Sequence, residues 1–388
     1  MILVDRQAAE DDRTSTGNAG MIVPSHIEPL AAPGVVAMGL KMMFNPRSPF
    51  RIKPRLDGDF VRWNLKFIQS ATQANVDRCA PILRDLHLLS RRLYVDFARD
   101  HQFGLVQKGL LMVCQQPATL AAEEHTAQLA RKLGMNAESL TPEALRKLEP
   151  GVRYEACGAI YFPQDCSLTP GLFLGAMRKE LANLGVEMHF AELVTAIHAE
   201  NNRVQALETD QGRIEADEFV VAGGSWSAEI CRMAKVPLLL QAGKGYSMTI
   251  RPGAKLPSIC SLLIEGRVAV TPMGKELRVG GTMEIVGLDE SIDKRRVQGI
   301  RDAFLSFMPQ FSGDDFRGVP IWKGLRPCPP DGMPYVGRFK RLPNLIAATG
   351  HGMMGLSLGP ATGSLVAQVV SETKPDVDLT LLDPNRFA

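Results

Sequence analysis

The first residues of the chain form an apolar run that ends in an acid. Met1 to Val4 lead directly into Asp5 and Arg6. A buried strand that ends in a carboxylate is typical of the second strand of a dinucleotide-binding unit, in which the acid holds a ribose hydroxyl. Such a unit begins about 20 to 30 residues earlier, with a first strand and a glycine-rich turn. The run therefore predicts a nucleotide-binding α/β fold, and it raises the question of where the glycines of that fold lie.

The composition is that of a globular protein and argues against several classes. A length of 388 residues favours two domains. The net charge of +2, with no basic stripe interleaved with aromatic residues, argues against nucleic-acid binding. The seven cysteines contain no Cys-x-x-Cys pair, so we expect free thiols in a reducing cytoplasm and no metal site. No uninterrupted apolar run approaches the roughly 18 residues of a membrane span.

Helical periodicity dominates the first part of the chain. Residues 60–100 repeat apolar side chains at three-to-four spacing, and Pro81 is expected to divide them into two helices. Another helix is predicted from Pro117 to Leu133. Short strands are predicted at Leu105–Val106 and Leu110–Cys114.

From Ala159 onward strands and helices alternate. The predicted elements are a strand at Ala159–Phe162, a helix at Pro170–Leu184, a strand at Val186–Phe190, a hairpin-like set at Val194–His198, Val204–Thr209 and Gly212–Ile214, a buried strand from Glu218 into Gly223 and Gly224, several strands between 236 and 322, and helices near 290–308 and 356–371. This interleaving predicts two domains that are each assembled from non-contiguous pieces.

One Gly-x-Gly-x-x-Gly match occurs, at Gly350–Gly355, between an apolar strand and a helix. Its context does not suit a dinucleotide fingerprint, because no second buried strand ending in an acid follows it. A loop that packs its backbone against another part of a cofactor is the better interpretation. Glycine permits close approach there, and the helix that follows presents a positive N-terminal pole.

Three stretches together resemble one family. They are Ser15-Thr-Gly-Asn-Ala-Gly20, Gly324-Leu-Arg-Pro-Cys-Pro-Pro-Asp-Gly-Met-Pro-Tyr-Val-Gly337 and Ala348-Thr-Gly-His-Gly-Met-Met-Gly-Leu-Ser-Leu-Gly-Pro-Ala-Thr-Gly363. They resemble the flavin-dependent D-amino-acid oxidase superfamily, and most of all its bacterial D-amino acid dehydrogenase branch. The resemblance covers nearly the whole chain.

The resemblance implies a discontinuous architecture. A Rossmann-like FAD-binding domain would comprise residues 1–35, 150–235 and 323–388, and an α+β substrate domain built on a mixed antiparallel sheet would comprise 36–149 and 236–322. Members of the superfamily carry a strand, a glycine-rich turn and a helix before the strand that residues 1–5 resemble. We therefore expect an in-frame upstream extension that encodes this unit; the alternative is loss of the pyrophosphate cradle.

The same resemblance implies FAD as the cofactor and suggests its contacts. Asp5 would accept a hydrogen bond from the ribose, and the backbone of Val194 would contact the adenine. The residues expected to line or underlie the flavin are Ser15, Thr16, Asn18, Ala19, Gly20, Gly223, Gly350, Gly352, Met353, Met354 and Gly355. Backbone N–H groups of the last five would face the anionic edge of the reduced flavin. Each position also has a purely structural alternative, such as a surface acid, a polar turn or a tight strand-to-helix turn.

Three side chains are candidates for substrate chemistry. Arg326 would hold the substrate carboxylate through two parallel hydrogen bonds, unless it is a structural partner of Asp331. Tyr246 would be a second carboxylate contact or pocket wall, unless it is simply a buried strand tyrosine. His351 is expected to shape its loop and not to act as a base, because hydride transfer from a neutral amine requires no side-chain base. No metal site is expected.

The resemblance implies oxidative deamination of D-amino acids by hydride transfer from the α-carbon to FAD, which yields imino and then 2-oxo acids. D-hydroxyproline, other cyclic or secondary amines, and glycine-oxidase-like activity are alternatives, and a cofactor-free interaction module is a rival from another class. The expected electron acceptor is a quinone or a respiratory-chain component. The apolar segment Val35–Phe44 is either a peripheral contact with the inner face of the membrane or a buried helix.

Overall fold

The computed structural model of the chain describes residues 1–9, 14–43 and 45–388. The strands, numbered in chain order, are β1 (Ile2–Asp5), β2 (Met21–Ile22), β3 (Phe50–Ile52), β4 (Leu110–Cys114), β5 (Glu138–Leu140), β6 (Gly158–Phe162), β7 (Cys166–Ser167), β8 (Glu187–Phe190), β9 (Val194–Glu200), β10 (Arg203–Thr209), β11 (Arg213–Glu215), β12 (Phe219–Val221), β13 (Gln241–Ile250), β14 (Cys260–Leu263), β15 (Val268–Met273), β16 (Glu276–Ile285), β17 (Trp322–Cys328), β18 (Tyr335–Phe339) and β19 (Leu342–Thr349). The α-helices are α1 (Val35–Met43), α2 (Gly58–Ser70), α3 (Gln73–Phe97), α4 (Pro117–Lys132), α5 (Pro142–Leu148), α6 (Pro170–Asn183), α7 (Ser227–Met233), α8 (Lys294–Phe307) and α9 (Gly355–Val370).

A mixed sheet of nine strands is the largest layer in the described part of the chain. Its order is β17-β13-β16-β15-β14-β4-β6-β5, with β3 also paired to β16. Most neighbours are antiparallel, whereas β14 with β4 and β16 with β3 are parallel. Alternate residues of β15 and β16 are apolar and pack against α8, which buries one face of the sheet. The expected mixed sheet is therefore present.

Smaller sheets carry the nucleotide-binding pattern. β1 pairs in parallel with β8, and β12 pairs in parallel with β19, which is antiparallel to β18. β9, β10 and β11 form the predicted antiparallel set. Within the described residues, β1 has β8 as its one strand partner and β12 has β19. The Rossmann-like part thus consists of short parallel pairs.

Two predictions of local structure are wrong. α3 continues through Pro81, and the break between helices lies at residues 71–72, where the Thr72 side chain caps α3 by accepting from the Asn75 N–H at 3.3 Å. Pro81 lies beside Ala80 and Leu83, which are buried, so packing offsets the roughly 3 kcal/mol that an internal proline costs. Residues 105–106 form only an isolated bridge, in which Val106 pairs with Ser167.

Sheet pairing differs from the expected domain division at two strands. β6 and β17 fall in segments expected in the FAD-binding domain, but both pair within the nine-stranded sheet. β6 is antiparallel to β4 and β5, and β17 is antiparallel to β13. The large sheet therefore extends into both segments.

Two apolar helices pack one side against the protein interior. The segment Gly352–Val370 is long and apolar enough to cross a membrane, with a mean hydropathy of 1.3, although it is not an uninterrupted apolar run, and 39% of it is buried. Leu358 and Leu365 of this segment are buried in one cluster with residues of α3. In α1, Val35 and Val36 pack against a buried cluster that includes Trp63. Phe44, the last residue of the predicted apolar segment, lies outside the described residues.

Candidate active site

The register of β13 and β17 decides which side chains share a face of the large sheet. Gly243 lies opposite Arg326, Gly245 opposite Gly324, and Ser247 opposite Trp322. Residues that face each other across an antiparallel pair project to the same side. Arg326, Gly324 and Trp322 therefore project together from the sheet face opposite α8, and this face is the floor of the candidate site.

Arg326 is held at this face without an opposing charge. Its Nη1 donates to the Thr282 carbonyl at 2.7 Å, and its guanidinium lies where a Cβ on Gly245 would be. Asp331 instead binds Arg386, with 2.8 Å between Oδ2 and Nε. Among the described residues no carboxylate pairs with Arg326, so the Arg326–Asp331 alternative is excluded. Burial lowers the pKa of Arg326, but an arginine remains protonated at neutral pH.

Tyr246 lies on the other face of the sheet. Its Oη donates to Glu284 Oε1 at 2.6 Å and accepts from the Asp293 N–H at 3.2 Å. Its side chain belongs to the cluster packed against α8. The structure does not bring Tyr246 to Arg326, so the expectation of a substrate contact is wrong and Tyr246 is a buried strand tyrosine.

The expected flavin-lining segment is attached to the sheet through its carbonyl groups. Arg278 Nη1 donates to the carbonyls of Thr16 and Asn18, at 2.7 and 2.8 Å. Ser247 Oγ donates to the Gly17 carbonyl at 2.9 Å. Three consecutive carbonyls therefore have partners in the large sheet, and the conformation of the segment depends on it. Within the segment, the Asn18 side chain accepts from the Gly20 N–H at 2.8 Å.

A small cavity lies between this segment and the sheet. Its volume is about 200 Å³, and its lining residues are Thr16, Gly17, Ser247, Thr249, Arg278, Pro320 and Trp322. The Trp322 ring occupies the space that a Cβ on Gly17 or on Gly324 would need. The cavity therefore has an aromatic wall on the same sheet face as Arg326.

Two glycine-containing turns border the same strand. Ser225 Oγ donates to the Leu325 carbonyl at 3.1 Å, which joins the turn after β12 to β17. Ser227 Oγ donates to Thr349 Oγ1 at 2.9 Å, which joins that turn to the end of β19. The loop that follows β19 leads into α9 at Gly355, and no side chain caps this helix. A 3-10 turn at Gly352–Met354 precedes the helix, with the Met354 N–H donating to the His351 carbonyl at 2.9 Å, and the helix N-terminus presents a positive pole.

The glycines of the two turns and of the segment before β2 differ in the room that their surroundings leave for a side chain. Gly224 and Gly352 both have φ +54°, and a Cβ at either would meet no atom within 4 Å, so the backbone is open to close approach. By contrast, a Cβ at Gly20 would overlap the Leu168 carbonyl, and one at Gly223 would lie 2.6 Å from Ile230 Cδ1. Gly20 is therefore required by packing within the protein itself, whereas the end of the Ile230 side chain could move to admit a methyl group at Gly223.

The remaining loop residues divide into buried and exposed positions. Gly350 has φ +80°, and Tyr335 and Pro329 leave no room for a side chain there. Met353 is 49% exposed, whereas Met354 is buried, with its Sδ 3.3 Å from His87 Nε2. The open backbone at Gly352 and the start of α9 are where the expected contact with the anionic edge of a reduced flavin would lie.

Asp5 and Val194, the expected ribose and adenine contacts, lie where the end of β1 meets the start of β9. The Asp5 carbonyl accepts from the Glu192 N–H at 3.0 Å, so β1 ends beside the start of β9. The exposed Asp5 carboxylate accepts from the Gln7 N–H at 2.9 Å. The next residue, Arg6, stacks its guanidinium 4.1 Å from the Trp226 ring centroid and so links this end to the turn at Gly224–Trp226.

His351 has the properties of a structural residue. Its Nε2 is 2.8 Å from Thr362 Oγ1 on α9, and burial lowers the pKa of His351 to about 4. The imidazole is therefore neutral at pH 7 and a weak proton acceptor. Its hydrogen bond joins the loop to the helix that follows.

Sequence reasoning missed several residues of the site. The structure adds Arg278, Ser247, Trp322 and Gly245, all on the sheet face that carries Arg326. A signal was available for Trp322, because a strand places residues two and four positions before Arg326 on the same face. Arg278 gave a weaker signal as a charged residue between the apolar Leu277 and Val279.

The chain belongs to the FAD dependent oxidoreductase family, DAO, whose profile matches residues 1–369. This membership confirms the expected family, the cofactor FAD and the oxidoreductase class.

Curated relatives and solved structures agree with that assignment. A protein named D-amino acid dehydrogenase from Bradyrhizobium diazoefficiens is 31% identical, covering 100% of this chain and 93% of the relative. One of the same name from Vibrio vulnificus is 30% identical, covering 97% and 92%. Glycine oxidase from Geobacillus kaustophilus superposes with a TM-score of 0.76 at 21% identity, covering 97% and 89%. L-proline dehydrogenase from P. horikoshii gives 0.70 at 20% identity, covering 79% and 83%.

Replacing Gly245 by alanine should displace the Arg326 guanidinium. The added Cβ overlaps the end of a flexible side chain, so the fold should tolerate it while Arg326 moves. We expect KM for the best D-amino acid to rise about tenfold or more with FAD retained, since a hydrogen bond to a charged group contributes about 1.5–3 kcal/mol. Gly266→Ala is the control, because its Cβ meets Ala303 of α8 on the opposite face of the sheet and none of the residues around Arg326. Equal KM values for the two variants would contradict this account.

His351→Ala should lower turnover by less than about a hundredfold in the FAD-loaded protein, because a positioned general base contributes about a hundred- to ten-thousandfold and His351 is neutral and bonded to Thr362. Steady-state kinetics with measured flavin content will test this. Thr362→Val is the control that removes the hydrogen bond and keeps the imidazole. A loss of several thousandfold in His351→Ala alone, with FAD bound, would show that His351 takes the substrate proton.

Proposed function

We propose that this protein oxidises D-amino acids at the α-carbon, producing imino acids that hydrolyse to 2-oxo acids and ammonia. The observation that carries the proposal is the environment of Arg326, a half-buried guanidinium on the sheet face beside the flavin-lining segments, bonded to a neutral carbonyl and to no carboxylate. Bound FAD supplies the hydride acceptor. The two named D-amino acid dehydrogenases, at about 30% identity over nearly the full chain, support the same substrate class.

Arg326 would orient the substrate. A planar guanidinium binds a carboxylate through two parallel bonds, which fixes the direction of the carboxyl group and thereby of the α-carbon. The desolvation that lowers the pKa of Arg326 also strengthens its attraction for an anion. The Thr282 carbonyl holds one nitrogen, and the remaining donors of the fork suit the substrate.

The other residues would hold the geometry around that contact. Arg278 and Ser247 hold the segment Thr16–Asn18 against the sheet. The N–H groups at the start of α9 would stabilise negative charge that develops on the cofactor during hydride transfer. With His351 neutral, solvent water would take up the proton of the amine before the transfer.

Cyclic secondary amines such as D-hydroxyproline are the second candidate substrates. They present the same carboxylate to Arg326 and a neutral amine to the cofactor, so the geometry of Arg326 accepts both classes. The aromatic wall formed by Trp322 suits a flat ring as well as an aliphatic side chain. Release of ammonia separates the two classes, because a linear imino acid releases it on hydrolysis whereas a cyclic imine retains its nitrogen.

We further propose a quinone or another respiratory component as electron acceptor and a cytoplasmic protein in peripheral contact with the membrane. α1 contributes to a buried cluster, which favours an internal role for it. Exposed apolar side chains are found instead in the next segment, at Leu56, Val61, Leu65 and Ile68. Anaerobic reduction of a soluble quinone, compared with oxygen uptake, tests the electron acceptor. Co-sedimentation with anionic vesicles tests the membrane contact.

Arg326→Lys should raise KM for D-amino acids by about ten- to a hundredfold, because a point charge cannot reproduce the two-bond fork. FAD content, read from the visible flavin band, should stay unchanged. That band also tests the rival interpretation, since a cofactor-free interaction module would show none. An unchanged KM in Arg326→Lys would remove Arg326 from substrate binding.

A further inference from the structure

β16 contains a bulge opposite Gly245 of β13, the residue over which the Arg326 guanidinium lies. Gly281 pairs with Tyr246 and Glu284 pairs with Lys244, so Thr282 and Met283 together face the single residue Gly245. A bulge places an extra residue in one strand and changes where its carbonyl points. Here the redirected carbonyl is that of Thr282, which accepts from Arg326 Nη1.

The backbone at this bulge is strained. Thr282 has φ +72°, a conformation that L-residues avoid and β-branched residues avoid most. Such a residue costs about 1–3 kcal/mol and persists only where its surroundings impose it. Its hydroxyl is buried and has no partner among the described residues, so the side chain does not explain the conformation.

On the far face of the sheet, two residues after Thr282, Glu284 forms a buried network. Glu284 and Arg296 of α8 are each 2% exposed and form an ion pair with 2.9 Å between Oε2 and Nε. Glu284 Oε1 accepts from Tyr246 Oη at 2.6 Å, and Tyr246 Oη accepts from the Asp293 N–H. Two residues after Thr282, the strand is thus attached both to β13 and to α8.

We propose that Glu284 is a positioning residue for substrate binding, which fixes the β16 bulge from the opposite face of the sheet and so directs the Thr282 carbonyl that aims Arg326. This inference rests on the proposed role of Arg326 as the carboxylate-binding group. A buried ion pair is a weak source of net stability, because desolvation of both charges offsets their attraction. Its effect here is on conformation: it maintains a bulge that the local sequence disfavours.

Glu284→Gln tests the proposal while nearly preserving volume. The amide can still accept from Tyr246 but cannot neutralise Arg296. We expect KM for a D-amino acid and Kd for benzoate, followed by the shift of the flavin band, to rise together by about tenfold, as for loss of one charged hydrogen bond. FAD content and kcat should change by less than about threefold, and oxidation of an amine without a carboxylate should be unaffected, because only carboxylate alignment is lost.

Glu149→Gln is the matched control. Glu149 is also a 2% exposed carboxylate, and it accepts from the N–H and Oγ of Ser258, which is not part of the site. This variant should lose thermal stability without a change in KM or in benzoate affinity. If Glu284→Gln behaves in the same way, the positioning role is wrong. Should Glu284→Gln fail to fold, Tyr246→Phe removes the hydrogen bond from Tyr246 Oη to Glu284 and retains the ring. An unchanged KM and benzoate affinity in Tyr246→Phe would then show that the positioning role is wrong.

Combining Glu284→Gln with Arg326→Lys separates this inference from the proposed function. If Glu284 acts through Arg326, the double variant should have the KM of Arg326→Lys alone. Fully additive increases would overturn the positioning role, because Glu284 would then act by another route. An unchanged KM in Arg326→Lys alone would overturn the proposed role of Arg326 and the inference with it, whereas an effect in Arg326→Lys but none in Glu284→Gln overturns only the inference.

Discussion

The antiparallel register between β13 and β17 is the constraint on which the candidate site depends. It places Arg326 and Trp322 on one face with the glycines Gly243 and Gly245, and it turns Tyr246 to the other. A shift of one residue would exchange the two faces, so that Arg326 would enter the apolar cluster against α8. The apolar pattern that specifies the core of the sheet therefore also specifies where the guanidinium projects.

The same sheet face determines the conformation of the flavin-lining segment. Residues 16–18 form no strand, yet their carbonyls are bonded to Arg278 and Ser247, so the segment takes its shape from the large sheet. The glycine at position 17 permits this approach because the Trp322 ring lies against it. The proposed substrate and cofactor sites therefore share one surface, and a distortion of β13 or β17 would disturb both.

The sequence was sufficient for features that arise from local pattern. The hairpin-like pattern with its turn residues predicted the set β9–β11, the apolar run ending in an acid predicted β1, and the quoted motifs indicated the family. It was insufficient where long-range packing decides the outcome. Pro81 remains inside α3 because its neighbours are buried, and Tyr246 faces away from Arg326 because β17 pairs with β13 in this register. The glycine pattern alone did not separate Gly20, where a neighbouring carbonyl leaves no room for a side chain, from Gly352, whose backbone is open to a ligand.

The two arginines of this face show how one residue type can serve two purposes. Burial lowers the pKa of both Arg278 and Arg326, so each bears a desolvation cost. Arg278 offsets that cost within the protein, through two loop carbonyls and Thr249 Oγ1 at 3.1 Å. Arg326 has one neutral carbonyl, which compensates a buried charge less completely. In the proposed function a substrate carboxylate would supply the missing compensation, whereas a neutral or cationic group would not. The charge balance around Arg326 thus favours an anionic substrate over a neutral or cationic one.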